Sequence, residues 1–186
     1  MEAFSDGVIA ILITIMVLEL KVPNGPHLSD LRHDVPIFFT YLLSFVNLGI
    51  YWNNHHHLLQ ATERTNGLIL WANLDLLFWL SLFPFGTGWM GENHFRSVPT
   101  AGYGVILLLA GIAYYLLQTA IIHDQGPGSV VAAAVGNDLK GKISPVIYAV
   151  AIPIAFVAAW LSVALYVVVS AMWLIPDRRM ARFTAD

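Results

Sequence analysis

Three groups of residues in this chain carry side chains suited to metal, proton or hydrogen-bond chemistry. They are Ser5 and Asp6 at the head of a long apolar run, the consecutive His55, His56 and His57, and Asp75 inside another apolar stretch. Consecutive histidines invite a metal reading, but neighbours on a helix point about 100° apart and cannot close on one ion. The i+4 positions that would help are Leu59, Gln60 and Ala61, so the sequence predicts no metal site there. Ser5 and Asp6 can cap free amides and complement a helix dipole. Alternatively, Asp6 faces a neighbouring helix, where low dielectric demands a hydrogen-bonding partner such as a histidine of the 55–57 cluster. Asp75, within a span, is a functional candidate by default, although Asn73 or the histidines can also satisfy it.

The elements that must position these groups are membrane helices. The chain is 58% hydrophobic and 11% charged, against roughly 25% charged for a soluble domain. A soluble fold of that composition would leave large apolar patches in water. With no cysteine, disulfides and thiolate metal sites are excluded. Residues 4–22 read as a first helix, apolar from Gly7 to Leu18 except for Thr14. Nineteen helical residues span about 28 Å, close to a bilayer's hydrocarbon thickness. The run lacks a basic leader and a small-residue cleavage site, so it reads as a retained span and not as a signal peptide. Advancing about 100° per residue from Asp6 places Ile11, Ile15, Leu18 and Val22 on one narrow stripe roughly opposite it. Thr14 lies at the stripe's edge, while Ile13 falls near Asp6.

The sequence 23–26, Pro-Asn-Gly-Pro, stops the first helix. A second span covers residues 37–51 and continues as a wetter end to 63, and a third covers 68–85. Residues 86–99 read as a loop, 102–122 as a fourth span, and 123–142 as a partly disordered return. Residues 143–175 would reach about 50 Å as one helix, so they fold back near 158–162. Six spans with the N-terminus inside put Arg64, Lys140, Lys142, Arg178, Arg179 and Arg182 on the cytoplasmic side, and only Lys21, Arg32 and Arg96 outside. That distribution favours both termini in the cytoplasm. Trp52, Trp89 and Tyr103 suit an interfacial aromatic belt. The expected fold is all-α: a polytopic membrane protein of six transmembrane helices forming a single domain over residues 1–186.

Serine elbow, HExxH, phosphate loop, dinucleotide glycines and the TVGYG carbonyl filter are all missing from the sequence. An enzyme is not expected, nor a nucleic-acid partner. The pattern FSDxxxAI at Phe4, Ser5, Asp6, Ala10 and Ile11, followed by YWNNHH at 51–56, resembles the transmembrane protein 175 family of potassium channels in its prokaryotic single-repeat form. That resemblance implies a homotetramer in the cell membrane, with the first helices lining a central pore, potassium as the permeant ion and no cofactor. It matches the family's constricting isoleucine to Ile11, and the next pore layers to Thr14 or Ile15, and to Leu18. It also matches the polar network behind the pore helix to Ser5 and Asp6 with Trp52 and one of His55, His56 and His57. The family's basic residue four positions before the phenylalanine has no counterpart here. A narrow aliphatic ring would make ions shed water, which potassium does at lower cost than sodium, and could gate by dewetting. The rival reading is a small proton-coupled transporter, with Asp6, Asp75 and the histidines as a relay.

Overall fold

The computed structural model describes residues 1–23 and 25–174, with His33 described by its backbone only. Asn24 and the basic tail with Arg178, Arg179 and Arg182 lie outside the described residues. All regular structure among the described residues is helical. The helices are α1 (Glu2–Ile15), α2 (Val35–Gln60), α3 (Gly67–Ser81), α4 (Phe83–Glu92), α5 (Ser97–Gln125), α6 (Val130–Val135), α7 (Leu139–Ile154) and α8 (Ala159–Leu174). Val35–Gln60, Gly67–Glu92 and Ser97–Gln125 are each long and apolar enough to cross a membrane, and Ala159–Leu174 is a shorter apolar helix. The protein is an all-helical, multi-pass membrane protein.

The first helix is not the uniform rod expected over 4–22. It begins at Glu2, is α-helical to Ile15, tightens into a 3₁₀ turn Met16–Glu19, and becomes extended at Leu20. Val22 therefore falls beyond the helix and leaves the stripe. Two contacts account for the change. The Thr14 hydroxyl bonds back to the Ala10 and Ile11 carbonyls, an interaction that competes with the helix ladder. Glu19 lies against Gly88 of α4, drawing the end of the helix sideways. Lys21 then reaches Glu92 at 2.6 Å, and this hydrogen bond and charge hold its ammonium above the usual lysine range.

The expected loop at 86–99 is mostly helix. Pro84 removes one amide from the ladder, so the chain breaks at Leu82 and resumes as α4. The glycines there are contact points and not loop signals. A Cβ on Gly86 would meet Tyr103 and Ile106, and one on Gly91 would come within 2.6 Å of Thr40 Oγ1 and 2.9 Å of the Ile37 Cα. Only residues 93–96 turn, with His94 and Phe95 at positive φ. The return at 123–142, expected to be partly disordered, is also structured. Ser129 caps α6 and Asp138 caps α7, while Gly126 at the end of α5 and Gly136 at the end of α6 take positive φ. The last two helices do fold back on each other, at 155–158, slightly ahead of the expected turn. Pro153 lies in the final turn of α7, and Ser162 Oγ bonds the Ala151 carbonyl across the bend.

Within the bundle α5 packs on α3, α4, α7 and α8, while α1 lies against α2, α3 and α4. The core runs through Leu48, Leu76, Leu80, Phe83, Tyr103, Leu107 and Tyr166. Gly91→Val should strain the α2–α4 contact and cost about 1–3 kcal/mol. Gly67→Ala, where a Cβ meets nothing within 4 Å, should leave thermal unfolding in detergent unchanged or slightly raised.

Candidate functional site

The two sides of α1 have opposite surroundings. Ser5, Ile9, Leu12 and Met16 are buried against the bundle. Gly7, Ala10, Ile11, Thr14, Ile15 and Leu18 are left uncovered by the chain. The contrast is large: Ile9 is 0% exposed, whereas Ile11 is 60% and Leu18 is 78% exposed. Ile13 lies between the two sides and packs on the core. The four residues expected to line a pore thus share one face. Thr14 donates its hydroxyl proton to its own helix's carbonyls, so the oxygen keeps acceptor capacity on the uncovered side.

On the packed side, the head of α1 is held by two separate hydrogen-bonded groups. In the first, Asn73 of α3 donates Nδ2–H to Ser5 Oγ at 2.9 Å and accepts from His55 Nε2 at 2.7 Å. All three side chains are buried. Because the Asn73 oxygen can only accept, the His55 proton sits on Nε2. In the second, half-buried group, His56 Nδ1 donates to Asp6 Oδ2 at 3.0 Å. The other nitrogen, Nε2, faces the Gln60 amide at 2.9 Å. Trp52 joins through its ring, stacked on His56 with centroids 5.6 Å apart.

Ser5, Asp6, Trp52, His55 and His56 are therefore brought together, each histidine serving a different partner. His57 hydrogen-bonds in neither group, although its ring lies edge-on to His56 with centroids 6.0 Å apart. It points across α2 into a small cavity of about 50 Å³ lined also by Asn54, Gln118, Asp138 and Trp173, and its Nδ1 is buried without a partner. The helical 100° step explains this division: consecutive side chains reach three different neighbours. Asp75, for which Asn73 or the histidines were the expected partners, contacts none of these. It is exposed on the outer face of α3 and accepts from Trp79 Nε1 at 3.2 Å.

Sequence reasoning missed Asn73 as the link between Ser5 and His55, because nothing along the chain says which face of α3 meets α1. It also missed Glu2 and Gln60. Both carry a helical signal, Glu2 lying four residues before Asp6 and Gln60 four after His56. A further buried group, Ser44 with Thr87 and Tyr103, ties α2 to α4 and α5 and has no signature beyond scattered hydroxyls.

Residues 1–84, which hold α1, α2, α3 and both anchoring groups, match the family described as Endosomal/lysosomal potassium channel TMEM175. A potassium channel from a Chryseobacterium species is 48% identical over 182 residues, covering 98% of this chain and 95% of the relative. The chain belongs to the TMEM175 family. A crystal structure of a TMEM175 homologue from Chamaesiphon minutus, described as a lysosomal potassium-selective channel, superposes with a TM-score of 0.82 at 30% identity and covers 94% of each chain. A Streptomyces collinus potassium channel is 29% identical over 88% of this chain and 84% of its own length. Of the TMEM175 protein from Gallus gallus, named a proton channel, the chain spans 28%. These relatives are ion channels and not enzymes.

Within this TMEM175 protein, the Ser5–Asn73–His55 group should carry stability. Asn73→Leu orphans the Ser5 hydroxyl and the His55 Nε2–H, and should lower thermal stability by about 1–3 kcal/mol per group. Asp75→Asn, on the exposed face, should stay within about 0.5 kcal/mol. Tryptophan fluorescence during unfolding in detergent compares them.

Proposed function

We propose that this chain is one subunit of a homotetrameric potassium channel, with four copies of α1 around a central pore and a hydrophobic constriction in place of a carbonyl filter. The observation that carries the reading is the uncovered face of α1. A lipid-facing helix needs only bulk apolar side chains, whereas this face combines small Gly7 and Ala10, a hydroxyl at Thr14, and the branched aliphatics Ile11, Ile15 and Leu18. A Cβ on Gly7 would meet nothing within 4 Å of its own chain, so no packing inside the subunit accounts for a glycine at that position. The names and coverage of the bacterial relatives support potassium as the ion.

Six rods then cross the bilayer as one domain over 1–186. They are α1 with its 3₁₀ extension, α2, the α3–α4 pair, α5, α7 and α8, with both termini cytoplasmic by the distribution of basic residues. Rings of Ile11, Ile15 and Leu18 make a narrow dry neck in which an ion loses water. Potassium loses it at lower cost than sodium, and the Thr14 oxygens offset part of that loss. Ser5, Asp6, Trp52, His55 and His56 hold the helix from behind. A proton-coupled carrier would need its ionisable groups linked, and Asp75, bonded to Trp79, stands apart from Asp6 and His56.

Ile11→Ala should widen the neck in every subunit, raising conductance and lowering the preference for potassium over sodium. Ile13→Ala should cost stability at the low end of the ~2–5 kcal/mol range and leave ion preference unchanged. Reversal potentials in mixed potassium and sodium gradients read both. A shift with Ile13→Ala and none with Ile11→Ala would place a different face on the pore. A monomeric detergent-corrected mass would remove the central pore.

A further inference from the structure

Two carboxylates converge on one imidazole nitrogen at the head of α1. His56 Nδ1 lies 3.0 Å from Asp6 Oδ2 and 3.4 Å from Glu2 Oε1, and one ligand atom from each residue lies within 4.8 Å of the others. A single N–H can serve one of these carboxylates well but not both, so Asp6 takes the hydrogen bond and the Glu2 oxygen stands beside the ring at the longer distance. We propose that Glu2, Asp6 and His56 form a binding site for a divalent ion of the zinc, cobalt and nickel class, clamping α1 to α2.

The geometry suits such an ion. Metal bonds of about 2.0–2.1 Å in a tetrahedral site place neighbouring ligand atoms roughly 3.3–3.4 Å apart; the two carboxylate separations from His56 Nδ1, 3.0 and 3.4 Å, are already close to that, and the two carboxylate oxygens lie within 4.8 Å of each other. Glu2 and Asp6, four residues apart, project from one face of α1, and His56 supplies the third ligand from α2. Asp6 Oδ1 is buried without a partner, leaving a second oxygen free to turn toward the ion. An imidazole with two carboxylates selects late first-row divalent ions over potassium or magnesium.

The surroundings of the ring fit the same assignment. With the metal on Nδ1, the proton moves to Nε2 and donates to the Gln60 side-chain oxygen once that amide turns over. A ligating histidine needs such an outer partner. Trp52 fixes the ring plane by stacking. The side chains of Glu2, Asp6 and His56 are 41%, 27% and 27% exposed, so an ion can enter from water, and a water molecule can fill the fourth position. This is not the arrangement that three consecutive histidines suggest. Only His56 takes part, and its co-ligands come from the other helix.

The test is a cobalt titration of purified, tag-free protein in detergent, following the visible absorption of the bound ion. One ion per chain should bind at micromolar concentration and be displaced by zinc. Glu2→Gln and His56→Gln should each weaken binding by roughly tenfold or more, while His27→Gln and His123→Gln should leave it unchanged. Glu2 is half-exposed in the first turn, so Glu2→Gln carries the test if His56→Gln fails to fold. No cobalt band at millimolar concentration, or binding that survives both ligand substitutions, overturns the site. A change in potassium flux on adding zinc rests in addition on α1 being the pore helix. Binding without that change leaves the metal site standing, because the ion sits behind the helix and away from the neck.

Discussion

Holding the head of one mostly apolar helix in a single rotation is the constraint on which the rest of this structure depends. In a membrane, aliphatic side chains do not discriminate between a neighbouring helix and lipid, so burial alone sets no orientation for α1. Hydrogen bonds do, because an orphaned polar group in low dielectric costs more than a displaced methyl. Ser5 meets Asn73, and Asp6 meets His56. Once those contacts form, Ile11 and Leu18 have to face away from the bundle. Asn73 gives the arrangement its direction, since its donor and acceptor are used on different partners, from α1 and α2.

The remainder of the bundle supplies a rigid back for that helix. Close approaches at Gly86 and Gly91 seat α4 against α5 and α2, and the Ser44, Thr87 and Tyr103 hydroxyls lock the same three helices in their interior. At the opposite end, Glu19 against Gly88 and the Lys21–Glu92 pair restrain the exit of α1. The ion pair is exposed and contributes little by itself, but it lies where the chain leaves its helix. The segment between is held on one side only, and that unsupported side carries Ile11, Thr14, Ile15 and Leu18.

Glu2 and Asp6, the metal-ligating side chains of α1, and the aliphatic face lie on opposite sides of the same helix for a physical reason. A helix whose rotation matters needs anchors at its head, and anchors that work in low dielectric are polar or charged. Side chains of that kind, set one helical turn apart and facing an imidazole, also have the chemistry of a metal site. Glu2 adds the second carboxylate that turns a hydrogen-bonded pair into a three-ligand cluster.

Much of this was legible along the chain. Apolar runs bounded by proline and glycine marked membrane helices, and helical periodicity separated the Ile11, Ile15 and Leu18 stripe from Asp6. The same 100° step showed that three adjacent histidines cannot share an ion. Each of these follows from local geometry, which the sequence carries on its own. Tertiary structure decided what depends on distant neighbours. The glycines at 86, 88 and 91 read as a loop until the helices they touch were in place, and the end of α1 looked regular until Glu19 met Gly88. Asn73 or the histidines were the expected partners of Asp75, yet Asn73 turns inward to Ser5 and His55, while Asp75, two positions on, lies on the other side of α3 and meets Trp79. Periodicity says which residues share a face, and only packing says what that face meets.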